Sequence, residues 1–77
     1  MITLKLDNDQ AIIEVKEKDH AKGNKIDSCI IAMSSDYWFY SHPINKDQFN
    51  VYFDIQAEEH VKQIVEDLNE IFYKGEK

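Results

Sequence analysis

Arginine is missing altogether from this 77-residue chain: all nine basic residues are Lys, against fifteen Asp and Glu, for a formal net charge of −6. Such a chain lacks the planar guanidinium fork that suits phosphate and guanine, and it lacks a basic stripe to neutralise a nucleic-acid backbone. Direct nucleic-acid binding is therefore not expected. Cysteine is almost as scarce. A lone Cys29 excludes an intramolecular disulfide, and its place in the run Cys29-Ile30-Ile31-Ala32-Met33 reads as a small buried hydrophobe. A reactive thiol would want an electropositive, partly exposed setting. No segment approaches the ~20 apolar residues that a membrane-spanning helix needs, and the start, MITLKLDND, alternates instead of forming the apolar run of a signal peptide. A cytosolic location is expected.

The motifs of the common enzyme and cofactor classes are also missing. The chain has no HExxH, CxxC, GxGxxG, P-loop or GxSxG pattern and no internal repeat. His20, His42 and His60 are scattered, with no second ligand at the helical spacing a metal site would use. The reading is of a non-enzyme with neither metal nor cofactor.

What is present is enough to fold. Apolar residues make up 43% and charged residues 31%, which is ordinary for one globular domain. At this size stability is marginal, so oligomerisation is a natural supplement. Seven of the nine aromatic residues lie between Ser35 and Ile55, and the core has to be built around them. Before that stretch, Ile2, Leu4 and Leu6 alternate with polar residues, and after the turn residues Asp7-Asn8-Asp9-Gln10 the apolar residues Ala11, Ile13 and Val15 again recur at every second position. Closing this hairpin pairs Leu6 with Ala11, Leu4 with Ile13 and Ile2 with Val15, all on one face. Glu17 to Lys25 is polar and holds the only interior Gly, so it reads as a loop. Ile26 to Met33 reads as a central strand. Tyr37 to Tyr40 reads as an aromatic strand, Ser41 to Asp47 with the only Pro as a loop, and Phe49 to Ile55 as a strand of clear period two. Ala57, Val61, Ile64, Val65, Leu68, Ile71 and Phe72 then form one helical stripe, with Glu58–Lys62 and Glu70–Lys74 as favourable pairs outside it and Lys74-Gly75 closing the end.

The expected architecture is α+β in two layers: an antiparallel sheet of about five strands on one C-terminal α-helix, in the order ββ-β-β-β-α. One sheet face is then uncovered. By parity Trp38, Tyr40, Tyr52, Ile30, Ala32 and Ile12 point to that face, while Tyr37, Phe39, Phe49, Val51, Phe53 and Ile55 face the core. An exposed aromatic patch suits contact with another protein or with a second copy of the chain. The functional reading is thus a small acidic inhibitor or adaptor docking through Trp38, Tyr40, Tyr52 and Ile30. In size, acidity and β-then-α layout it resembles the small phage-encoded inhibitors of bacterial defence systems, such as anti-CRISPR proteins. A second candidate surface is the outer helix side, where Glu66, Asp67 and Glu70, with Glu58 and Glu59, could occupy the groove of a nucleic-acid-binding protein. The alternatives are a self-associating structural domain and single-strand binding by base stacking on the aromatic face.

Overall fold

The computed structural model describes residues 2–74. Strands β1 (Ile2–Leu6) and β2 (Gln10–Lys16) form the expected hairpin, in the expected register: Ile2 opposite Val15, Leu4 opposite Ile13 and Leu6 opposite Ala11. Its inner face buries Ile2, Ala11, Ile13 and Val15 almost completely. At roughly 1.5–3 kcal/mol for each large aliphatic side chain, slipping the register by one residue would cost most of the hairpin's stabilisation.

The chain next departs from its sequence reading. Residues 20–33 are neither a loop nor a strand but helix α1 (His20–Met33). Asp19 caps it, its side chain accepting a hydrogen bond from the Ala21 backbone N–H at 3.0 Å. Ile26 and Ile30 are fully buried, with Cys29 and Met33 packed beside them. That spacing of three and four is a helical stripe. The contiguous run Cys29 to Met33 concealed it, because a short apolar run reads equally as a buried strand.

Strand β3 (Phe39–Asn45) and strand β4 (Gln48–Asp54) follow. β3 starts later than expected and continues through Pro43, so residues 41–45 are strand, and the turn is confined to Lys46 and Asp47. Proline is admitted because β3 is an edge, where a missing N–H need leave no partner unsatisfied. A register shift between Pro43 and Asn45 marks a bulge at its end. The sheet has four antiparallel strands in the order β1-β2-β4-β3, not five.

A 3₁₀ turn (Ile55–Ala57), capped by the Asp54 side chain, leads into helix α2 (Glu58–Tyr73). Val61, Ile64 and Leu68 of α2 are buried against the sheet, together with Val51 and Phe53 of β4. Ile71, expected in the stripe, is exposed. Both expected pairs form, Lys62–Glu58 at 2.8 Å and Lys74–Glu70 at 2.9 Å; Gly75 lies outside the described residues. The result is an α+β domain of two layers, ββαββα, with both helices on one face of the sheet.

Side-chain ties fix the helices to the rest. Asn69 of α2 both accepts from the Ile2 N–H (3.2 Å) and donates to its carbonyl (2.9 Å), pinning the start of β1. His60 donates from Nε2 to the Met33 carbonyl at 2.8 Å, since a carbonyl can only accept, and so joins α2 to the end of α1. The Tyr73 hydroxyl donates to Glu17, and Lys22 lies 4.3 Å from the centre of the Tyr73 ring. That hydrogen bond holds the Glu17 carboxyl below its ordinary pKa.

Candidate docking surface on the open sheet face

The pleat and the registers decide what the face opposite the helices carries. Cross-strand pairing lines up Lys5, Ile12, Tyr52 and Tyr40 in one row, and Thr3, Glu14, Asn50 and His42 in the next. Tyr40 and Tyr52 stack with centroids 4.9 Å apart and planes 12° from parallel. Trp38, just before β3, meets Tyr40 edge-on at 5.4 Å. His42 approaches Tyr52 at 6.5 Å, and Asn50 Nδ2 donates to the Tyr52 hydroxyl at 3.3 Å. The aromatic row is thus continuous and supported from the side. Ile12 is only 5% exposed beneath its neighbours.

Trp38 is the outlier in this arrangement. It is 69% exposed, and Tyr40 beside it 41%. A side chain of that size left in water forgoes about 1.5–3 kcal/mol of burial. The face is also neutral: its strand residues include Lys5 and Lys16 against Glu14 and Asp54, while the chain as a whole carries −6.

Three of the sequence candidates, Trp38, Tyr40 and Tyr52, are brought together here. Ile30 is not. It belongs to α1 and is fully buried on the helix side of the sheet, while Ala32, expected beside it, lies exposed on the same helix. Tyr37, expected in the core, is instead 42% exposed and stacks on His60 at 4.3 Å. His42 was missed as a face residue because the residue before Pro was read as loop. The period-two continuation 38, 40, 42 was the signal for it.

Glu66, Asp67 and Glu70 lie on α2, with the sheet between them and the aromatic row. Their charge is partly spent within the helix. Glu70 pairs with Lys74, Gln63 donates to Asp67 at 2.9 Å, and Lys62 binds both Glu58 and Glu59. The hydrogen bond to Glu58 and the charge of both carboxylates raise the Lys62 pKa above its ordinary value. Glu66 stays exposed.

A cavity of about 160 Å³ opens between the start of α1 and the β3–β4 turn, lined by Glu17, His20, Asn24, Pro43 and Phe49 among others. It is about half the ~300 Å³ at which small-molecule pockets begin; a larger and more open groove of about 360 Å³ adjoins it, lined by Lys16, Glu17, Lys18, Lys46 and Asp47 among others. No helix among the described residues is long and apolar enough to cross a membrane. No protein-family model, curated protein or solved structure matches the chain.

Proposed function

We propose that this protein is a non-catalytic interaction module, an inhibitor or adaptor, that docks on a larger protein through its open sheet face. One observation carries the reading: a contiguous Trp38–Tyr40–Tyr52 row, edge-on at the first contact and stacked at the second, with Trp38 69% exposed, on a face that no other element among the described residues covers. Trp and Tyr are the side chains from which interface hot spots are most often made, because they bury a large rigid area at low entropic cost. The neutrality of the face supports a protein partner over a nucleic acid, which would need positive charge there. The acidic side of α2 has less support as the docking surface, because Lys62 and Lys74 already neutralise part of it.

The test is capture from a lysate of the source organism. Trp38→Ala and Tyr40→Ala should each lose the captured protein, with affinity falling about thirtyfold or more, the effect of removing a ~2 kcal/mol hot spot. Thermal stability should stay within about 0.5 kcal/mol of the parent for the more exposed Trp38→Ala, while Tyr40→Ala, which loses its stack on Tyr52, should cost about 1 kcal/mol and leave the chain folded. Glu66→Lys should leave capture unchanged. If Trp38→Ala unfolds the chain, or capture survives both aromatic substitutions, this reading fails.

A further inference from the structure

At the end of β3 opposite Trp38, the sheet closes against the connection into α1. There Lys16, the last residue of β2, pairs with Gln48 at the start of β4, and the β3–β4 turn brings Lys46 and Asp47 beside Glu17 and Lys18. The Glu17 N–H donates to the Asp47 carbonyl at 2.6 Å and fastens the turn to the connection. The groove of about 360 Å³ between them is thus bounded by tied main chain, and Lys16, Lys18 and Lys46 all line it.

The chain offers fifteen acids, and Lys62 and Lys74 each pair with one on their own helix. Lys16, Lys18 and Lys46 enter no ion pair among the described residues. The two acids of the same groove do not cancel them. Glu17 is committed to the Tyr73 hydroxyl and stands 4.0 Å from Lys22, so Asp47 is set against three ammonium groups. A chain of net charge −6 therefore presents a positive lining at this one place. Like charges gathered in a groove repel one another, and an anion among them relieves the repulsion.

The adjoining cavity of about 160 Å³ shares Lys46, Asp47 and Gln48 with the groove and continues it toward α1. Its far wall has another character. Pro43 and the half-buried Phe49 supply apolar surface, and Asn24 supplies an amide. Groove and cavity together make a trench with charge at one end and an apolar cleft with a polar rim at the other, and the groove alone reaches the ~300 Å³ of small-molecule sites.

We propose that this trench binds a small molecule in which a phosphate monoester is joined to a flat ring, a ligand of the mononucleotide class. Lys16, Lys18 and Lys46 hold the phosphate, which carries close to two negative charges at neutral pH and suits Lys as a point-charge binder. The ring lies against Phe49 and Pro43, with the Asn24 amide at its edge. A polynucleotide is excluded, because three lysines around one groove make no stripe along which a backbone could run. The site is separate from the aromatic row and does not depend on a protein partner docking there.

A nuclear magnetic resonance titration of the full chain with adenosine monophosphate, adenosine and inorganic phosphate tests this. Adenosine monophosphate should bind with a dissociation constant of about 1 mM or tighter, and the other two probes at least about tenfold more weakly, because each fills only one end of the trench. It should move the amide signals of Lys16, Lys18, Lys46 and Asp47 together with those of Asn24 and Phe49. Lys16→Gln and Lys46→Gln should each weaken it about threefold or more, as the loss of an exposed charge contact does. Lys62→Gln, at a lysine already paired with Glu58, should leave it unchanged. The absence of shifts with adenosine monophosphate at ~10 mM overturns the proposal. So does phosphate binding as tightly as the nucleotide, which would mean that the groove reads charge alone, or an equal loss from Lys62→Gln, which would assign the effect to overall charge. Trp38→Ala should alter none of these values, so lysate capture through the aromatic row stands or falls separately.

Discussion

Glu17 shows how one side chain can hold distant parts of a short chain together. It lies in the connection between β2 and α1, accepts from Tyr73 near the end of α2, and sits 4.0 Å from Lys22, which itself covers the Tyr73 ring. Its depressed pKa, caused first by the Tyr73 hydroxyl, has a definite sign for stability. The folded state holds the ionised form more tightly than the unfolded chain does. The contribution is therefore present above the ordinary value of 4.5 and is lost as pH falls below it through the folded-state pKa. Tyr73→Phe should lower stability at neutral pH by about 1 kcal/mol, and should flatten the fall of melting temperature below pH 4.5. Circular dichroism melts across that range check both. Nothing in the sequence pointed to this contact, because residues 17 and 73 come together only when α2 crosses the sheet.

At the scale of elements, α1 is the part that local reading could not reach. Gly23, Asn24, Ile26, Ser28, Cys29, Ile30 and Ile31 are all middling or poor helix formers. Isolated, such a segment would not stay helical. It is helical here because Asp19 caps it and because Ile26 and Ile30 are buried in the core. Gly23 is a weak point with no steric justification: a Cβ there would come no closer than 4.0 Å to Glu17 Cβ, an ordinary contact. Gly23→Ala should therefore stabilise the protein by roughly 0.5–1 kcal/mol. For a domain of this size that raises the melting temperature by about 2–8 °C, which a scanning calorimeter reads. The first hairpin and α2 were legible by contrast. Their periods of two and 3.6 are clean, their turn or first-turn chemistry agrees with them, and each signal fits within a dozen or so residues.

For the whole molecule, the governing fact is how little core there is. Phe53 is the largest fully buried side chain, packed at 5.6 Å against Phe39 and enclosed with Val51, Ile13 and Leu68. Phe53→Ala should cost about 3–5 kcal/mol. Set against a total stability near the lower end of the usual ~5–15 kcal/mol, that loss should unfold the protein at or near physiological temperature, seen as a collapsed amide proton spectrum. Trp38→Ala should leave the same spectrum dispersed. The contrast between two aromatic residues so close in the sheet separates the side that holds the fold from the side available for contact. With the sheet between its aromatic face and its acidic helix, the domain cannot offer both to one flat partner.

Parity in β4 and from Trp38 to Tyr40 divided core from open face from sequence alone; it failed at Tyr37, which precedes β3 and stacks on His60 instead of entering the core. Phe39, Phe49, Val51 and Phe53 went inward and Trp38, Tyr40 and Tyr52 outward, as the registers have them. That division is a property of the pleat, which any strand obeys. The layout did not follow in the same way. An apolar run of five residues satisfies a strand and a helix equally, so the identity of α1 depended on whether residues 26 and 30 would meet a core assembled from elements on either side of them. With α1 interleaved between the two hairpins, the β-then-α layout is replaced by ββαββα, and Ile30 passes from the open face to the interior. The extension of β3 past Pro43 was likewise a tertiary outcome. Proline is tolerated in a strand only where its missing donor faces no partner, and which strand lies at the edge is settled by the order of the whole sheet.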